Sequence, residues 1–115
     1  MKAAHSERLD ATFFALADPT RRAILSRLAA GDASVTELAQ PFSMSQPAIS
    51  KHIKVLEKAG LVTRGPESHR RSCRIVAKPL GEATAFLEDY RRFWEKSFER
   101  LDELLGDLKK QRARR

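Results

Sequence analysis

Cysteine occurs once in these 115 residues, at position 73. No internal disulfide can form, and no cysteine-rich zinc site can be built from this chain alone. Long apolar runs are missing too. The longest, Phe13 to Ala17, is far short of the roughly 18 residues that a membrane span requires. Glu7 and Asp10 stand where a signal peptide would place its apolar stretch, so the chain reads as soluble and cytoplasmic, without a membrane partner. Histidine is scarce: His5, His52 and His69 are never three or four residues apart, the spacing that sets two ligands on one helical face. A glycine-rich phosphate loop is absent, as is a nucleophile with a base at motif spacing. The expectation is a protein that is not an enzyme and holds no metal and no cofactor.

Acid is also in short supply, since 22 Lys and Arg face 15 Asp and Glu for a formal net charge of +7. The excess is local. Residues 43–78 carry eight basic side chains against Glu57 and Glu67, residues 79–108 carry four basic and eight acidic, and residues 109–115 add five more cations. A basic middle and a basic end suit a polyanion, most economically nucleic acid, although charge runs also serve simple solvation.

Helical periodicity begins near Ser6, with an apolar stripe at Leu9, Phe13, Leu16 and Ala17. Asp18 and Pro19 restart the chain as N-cap and first helical residue. A second helix runs to about Ala30, stopping at Gly31, with Ala23, Ile24, Leu28 and Ala29 as its core face. Ser34 and Glu37 have the form of a capping box and open a short third helix that Pro41 closes. Ser45 caps a fourth helix over 45–59, with Ile49, Ile53 and Leu56 inward and Gly60 at its end. Leu61 to Arg64 and Arg71 to Val76 read as two strands about the turn Gly65-Pro66-Glu67-Ser68, a basic wing over 61–76.

Beyond Pro79, Leu80, Leu87, Trp94, Leu101 and Leu108 recur every seventh residue, with Ala83, Tyr90, Ser97 and Leu104 three residues after the first four. Phe86, Phe93, Phe98 and Leu105 widen this seam beyond what a small monomer covers, which predicts a homodimer. Its interface residues on this helix are expected to be Leu87, Tyr90, Trp94, Phe98 and Leu101. The fold class is mainly α with a small β-hairpin wing, a winged helix-turn-helix. Residues 1–108 form the DNA-binding and dimerisation domain, and residues 109–115 a basic, disordered tail.

The outward side of the fourth helix carries Gln46, Ser50, Lys51 and Lys54. These types suit groove contacts: Gln pairs with adenine, Ser reaches a base edge or phosphate, Lys contacts guanine or backbone. Ser45 lies at the same helix start, and Thr36 near the start of the third helix is either a phosphate contact or only a cap. Arg64, His69, Arg70 and Arg71 are the wing candidates. Double-stranded DNA is the expected partner. The alternative is a winged-helix module that docks another protein and has no sequence preference on DNA.

Two stretches carry a family likeness: LADPTRRAIL from Leu16 to Leu25, and FSMSQPAISKHIKVLEKAGLV from Phe42 to Val62. Together they resemble the ArsR family of bacterial transcriptional repressors over roughly Leu9 to Trp94. The resemblance implies a homodimer dimerising through its first and last helices, with Leu9 and Phe13 of the first helix in the interface, a palindromic operator, and base contacts from Gln46, Ser50 and Lys51. Relatives that sense metals place cysteines in the third helix, where this chain reads Glu37-Leu38-Ala39-Gln40-Pro41-Phe42, or Asp and His on the last helix, where residues 79–115 contain no His. An unknown small-molecule inducer between first and last helices is left open. Cys73 lies between cations that favour a thiolate, yet its strand parity with Ile75 favours packing.

Overall fold

The computed structural model describes residues 2–65 and 72–114, with side chains from residue 6 onward. Its elements run α1 (Lys2–Leu16), α2 (Pro19–Ala29), β1 (Ala33–Ser34), α3 (Val35–Ala39), α4 (Gln46–Lys58), β2 (Val62–Arg64), β3 (Ser72–Ile75) and α5 (Lys78–Ala113). The chain divides into two compact units, Met1–Ala83 and Thr84–Arg115.

Local chemistry fixes the joints of the first unit. Asp18 adopts an extended conformation and its carboxylate accepts the backbone N–H of Arg21 at 3.0 Å, capping α2 with Pro19 in its first turn. Gly31, at φ +150°, then takes a backbone conformation that side-chain-bearing residues rarely adopt. Ser34 and Glu37 form the full capping box, at 3.1 Å and 3.2 Å. Ser45 Oγ accepts from Ala48 N–H at 3.3 Å to start α4. The far end of α4 is a Schellman turn: Gly60, at φ +77°, donates to the Glu57 carbonyl, and Leu61 donates to that of Leu56, both at 2.9 Å. Leu56 and Leu61, the pair this motif brings together, are both fully buried.

Ile24, Leu25 and Leu28 of α2, Leu38 of α3, Ile49, Ile53 and Leu56 of α4, and Leu61, Val62 and Cys73 of the sheet segment make one core. Two positions assigned to the core face of α2, Ala23 and Ala29, are exposed, and Leu25 is buried in their place. The sheet has three antiparallel strands in the order β1-β3-β2. Its register pairs Ala33 with Cys73, and Val62, Thr63 and Arg64 with Ile75, Arg74 and Cys73. The sequence reading foresaw two strands. The third is only two residues long and owes its existence to distant β3, not to any local pattern.

Both outer helices are longer than expected. α1 begins at Lys2 instead of Ser6, so Glu7 and Asp10 lie inside it. α5 continues to Ala113, and the boundary drawn at residue 108, with a disordered tail beyond, gives way to uninterrupted helix. Lys, Gln, Arg and Ala are good helix formers, and cations in the last turn complement the negative end of the helix dipole. At 1.5 Å per residue the 36 residues of α5 span about 54 Å. Among the described residues no helix is long and apolar enough to cross a membrane.

Candidate nucleic-acid interface

α3, the turn after it and α4 form the helix-turn-helix. Ile49, Ile53 and Leu56 are wholly buried, which fixes the rotation of α4. On the other side, Gln46, Lys51 and Lys54 are exposed and Ser50 is half-buried. Positions 46, 50 and 54 fall at successive steps of four and so line one strip, with Lys51 beside it.

The two helices meet in this strip. Gln46 Nε2 donates to Thr36 Oγ1 at 3.3 Å, across the turn. Thr36 is exposed and is not the cap of α3; Ser34 fills that role. Ser45 spends its oxygen on the Ala48 N–H, leaving its own O–H to donate outward. The candidate residues of the helix-turn-helix thus gather on one exposed side.

The wing is different. Arg64 is half-buried, and its Nε lies 3.2 Å from Glu57 Oε1, which ties β2 to α4. His69, Arg70 and Arg71 lie outside the described residues. Cys73 is fully buried, and burial pushes its thiol pKa up, against the weaker opposing pull of Arg64. The packing reading of Cys73 fits this environment.

Two residues behind α4, Arg21 and His52, are not among those the sequence assigns to the site. Arg21 is only 9% exposed. Its Nε donates to Ala15 O at 2.7 Å and its Nη2 to Phe14 O at 2.9 Å, while Arg22 Nη1 takes Leu16 O at 2.8 Å. The last carbonyls of α1 are therefore held by guanidinium groups from the first turn of α2. His52 of α4 brings its Nδ1 to 3.3 Å from Arg21 Nη1 and 3.8 Å from Asp18 Oδ2. Asp18 sits below the ordinary carboxylate pKa, chiefly through the backbone N–H of Arg21 and further through charge at His52 and Arg21. A sequence signal existed for both. Arg21 precedes Ile24, Leu25 and Leu28 at helical spacing, and His52 falls between Ile49 and Leu56 on the buried side of α4.

In the second unit α5 carries a run of exposed apolar side chains. Leu87, Tyr90, Trp94, Phe98 and Leu101 are each about half exposed, as are Phe93, Leu104, Leu105 and Leu108. The rings follow one another along the helix, with centroids 5.3 Å apart for Phe86 and Tyr90, 5.6 Å for Phe93 and Trp94, and 6.0 Å for Trp94 and Phe98. Five half-exposed rings at about 200 Å² each leave on the order of 500 Å² of aromatic surface in water. That alone matches the largest apolar patch of a typical monomer, before the leucines are added. In α1, Leu9 and Phe13 are half-buried, and Phe14, not among the expected interface residues, is 65% exposed. Among the described residues no group of three or more His, Cys, Asp or Glu assembles a metal site.

Comparison with known proteins bears on this arrangement. The family model of a helix-turn-helix domain matches residues 16–65. The chain is similar to the HTH-type transcriptional regulator Rv2034 of Mycobacterium tuberculosis, with 46% identity over 88 residues, 76% of this chain and 79% of the relative. Among solved structures it is similar to the ArsR family transcriptional regulator RHA00566, with 43% identity, a TM-score of 0.70, and coverage of 76% of this chain and 97% of that one. It also resembles the homodimeric winged helix-turn-helix DNA-binding domain of Mb0332 from Mycobacterium bovis, at 27% identity and TM-score 0.63, covering 79% of this chain and 84% of that one.

Proposed function

Since the chain belongs to the ArsR family of helix-turn-helix transcriptional regulators, we propose that it acts as a homodimeric repressor that reads a palindromic operator with α4. The observation that carries this reading is the exposed strip Gln46, Ser50, Lys51 and Lys54 on a helix whose opposite face is locked in the core. Gln46 and Ser50 are the base readers, oriented in part by Thr36. Lys51 and Lys54 contribute attraction to guanine or phosphate, and Ser45 and Thr36 contact phosphate at the helix starts. Arg64, His69, Arg70 and Arg71 follow the backbone from the wing.

The aromatic face of α5 is the dimer seam, joined by Leu9 and Phe13 of α1. Two-fold symmetry then sets the two α4 helices about 34 to 36 Å apart, one turn of DNA. Repression follows from occluding a promoter. An inducer relieves it only by binding the DNA-incompetent dimer more tightly than the competent one. No catalytic step belongs to this reading, and the protein works in the cytoplasm.

The test is binding of the purified protein to a fluorescent fragment of its own upstream DNA beside a scrambled fragment, across a salt series. Preference for the native fragment is expected, with a log–log salt slope of about −0.9 per phosphate neutralised. Gln46→Ala and Ser50→Ala should relax sequence choice, while Arg70→Ala and Arg71→Ala weaken all sequences alike. Equal losses on every sequence from all four changes would remove the base-reader assignment. Failure to prefer any sequence, in a wide operator screen as well, would favour a protein-docking module.

A further inference from the structure

Arg21 is a fixed point in the first unit. It is nine-tenths buried, two of its donors are held by the Ala15 and Phe14 carbonyls, and its guanidinium lies 5.3 Å from the centre of the Phe14 ring. Its guanidinium also meets the side chain of His52, which links α2 to α4. A single atom, His52 Nδ1, therefore stands between a group that can only donate, Arg21 Nη1 at 3.3 Å, and a carboxylate that can only accept, Asp18 Oδ2 at 3.8 Å. A guanidinium offers no lone pair. The contact with Arg21 is a hydrogen bond only when Nδ1 is bare, which means a neutral imidazole with its hydrogen on Nε2.

We propose that His52 is a positioning residue for DNA reading, whose protonation state selects between two seats for α4. Neutral, its Nδ1 accepts from Arg21 and holds α4 against the α1–α2 corner. Protonated, Nδ1–H faces a fixed cation, loses that bond and turns to donate to Asp18. The inference rests on the reading of α4 as the recognition helix.

The charges around the ring define the balance. Arg21 and Asp18 face it from α2 and its cap, and α1 brings the carbonyls of Phe14 and Ala15 to the same corner. On α4 itself the neighbouring inner positions Ile49, Ile53 and Leu56 are apolar, and Lys51 is exposed. Asp10 of α1 and Lys58 of α4 flank a separate groove together with Val55.

The experiment uses the full chain and a DNA duplex that it selects from a random-sequence pool, with a scrambled duplex beside it. The ratio of the two affinities is measured at pH 7.5 and pH 5.5, which cancels the general attraction gained as histidines charge. For the wild type the ratio is expected to fall roughly three- to tenfold on acidification, the size of one lost hydrogen bond. His52→Asn, whose Oδ1 accepts in place of Nδ1 and does not titrate, should keep its ratio at both pH values. His52→Leu should have a reduced ratio at both. An identical pH response in wild type and His52→Asn, or a wild-type ratio for His52→Leu at pH 7.5, overturns the proposal. Imidazole nitrogen NMR of the wild type at pH 7.5 tests the same link without any variant or DNA. A neutral His52 with its hydrogen on Nε2 supports it, and a hydrogen on Nδ1 refutes it. That arm remains decisive if no sequence is selected from the pool, so failure of the repressor reading is distinguishable from failure of the positioning role.

Discussion

Truncating Trp94 to alanine should break the proposed dimer without unfolding the protomer. Trp94 is 50% exposed, so a partner can remove from water about half of a side chain of about 250 Å². At about 25 cal/mol per Å² this is worth ~3 kcal/mol in each copy, and a two-fold interface contains the residue twice. The loss lies between ~3 and ~6 kcal/mol, depending on how far neighbouring side chains close over the gap, which is at least a hundredfold in the dimer dissociation constant. Sedimentation equilibrium over a wide concentration range reads this directly. Trp94 is also the only tryptophan, so a blue shift of intrinsic emission with rising wild-type concentration reports burial at this one position. Arg92→Ala is the matched control: its side chain is 71% exposed and meets Asp89 only in an ion pair at 3.9 Å, an interaction worth tenths of a kcal/mol at most. If Trp94→Ala dimerised within threefold of the wild type, with helix content unchanged, the assignment of this face to the seam would be wrong.

Three further outcomes are expected. Gly60→Ala forces a side chain into φ +77° while meeting nothing closer than Pro79 Cγ at 3.8 Å, so strain alone acts; a loss of about 1 kcal/mol, seen as a midpoint lowered by several degrees in thermal unfolding, is expected, and an unchanged midpoint would refute the role of the turn. Asp18 is held below its ordinary pKa by the Arg21 N–H, so its contribution is complete above the unfolded carboxylate value near about pH 3.9 and is lost as pH falls through the lower folded value. The stability gap between wild type and Asp18→Ala in denaturant titrations should therefore be full at pH 7 and narrow below pH 4; a gap that widened in acid would contradict it. Cys73 is fully buried with a raised thiol pKa, so it should resist iodoacetamide in native protein at pH 8 and react once denatured, as mass spectrometry would show.

What could be read in the sequence was what short stretches decide alone. Asp18 with Pro19, Ser34 with Glu37, Ser45, and Gly60 specify their helix ends through contacts a few residues long, and each marks a true joint. The inner and outer sides of α4 followed from the spacing of Ile49, Ile53 and Leu56. Long-range contacts were less visible. β1 is a strand because β3 lies beside it, and Ala33 is buried against Cys73 from forty residues away. Arg21 and His52 stand at helical spacing from buried residues, but their polarity argues for exposure. Their buried positions become reasonable only when the carbonyls at the end of α1 are present to receive the guanidinium. α1 shows the limit of periodicity: it places Leu9 and Phe13 on a stripe, while the more exposed ring belongs to Phe14, whose position is set by how α1 lies over α2 and α4.

The Schellman turn at Gly60 has a further consequence for the operator. Only three residues, Ala59 to Leu61, join α4 to β2. The join is held by the two 2.9 Å bonds of the turn, by Val76 N–H to Leu61 O at 2.8 Å, and by the Arg64–Glu57 pair. Helix and strand base therefore behave like the two legs of a locked calliper. In the proposed complex, the separation between the bases read by α4 and the backbone met at Arg64 is set within each protomer. Natural operators should accordingly reject a one-base insertion inside either half.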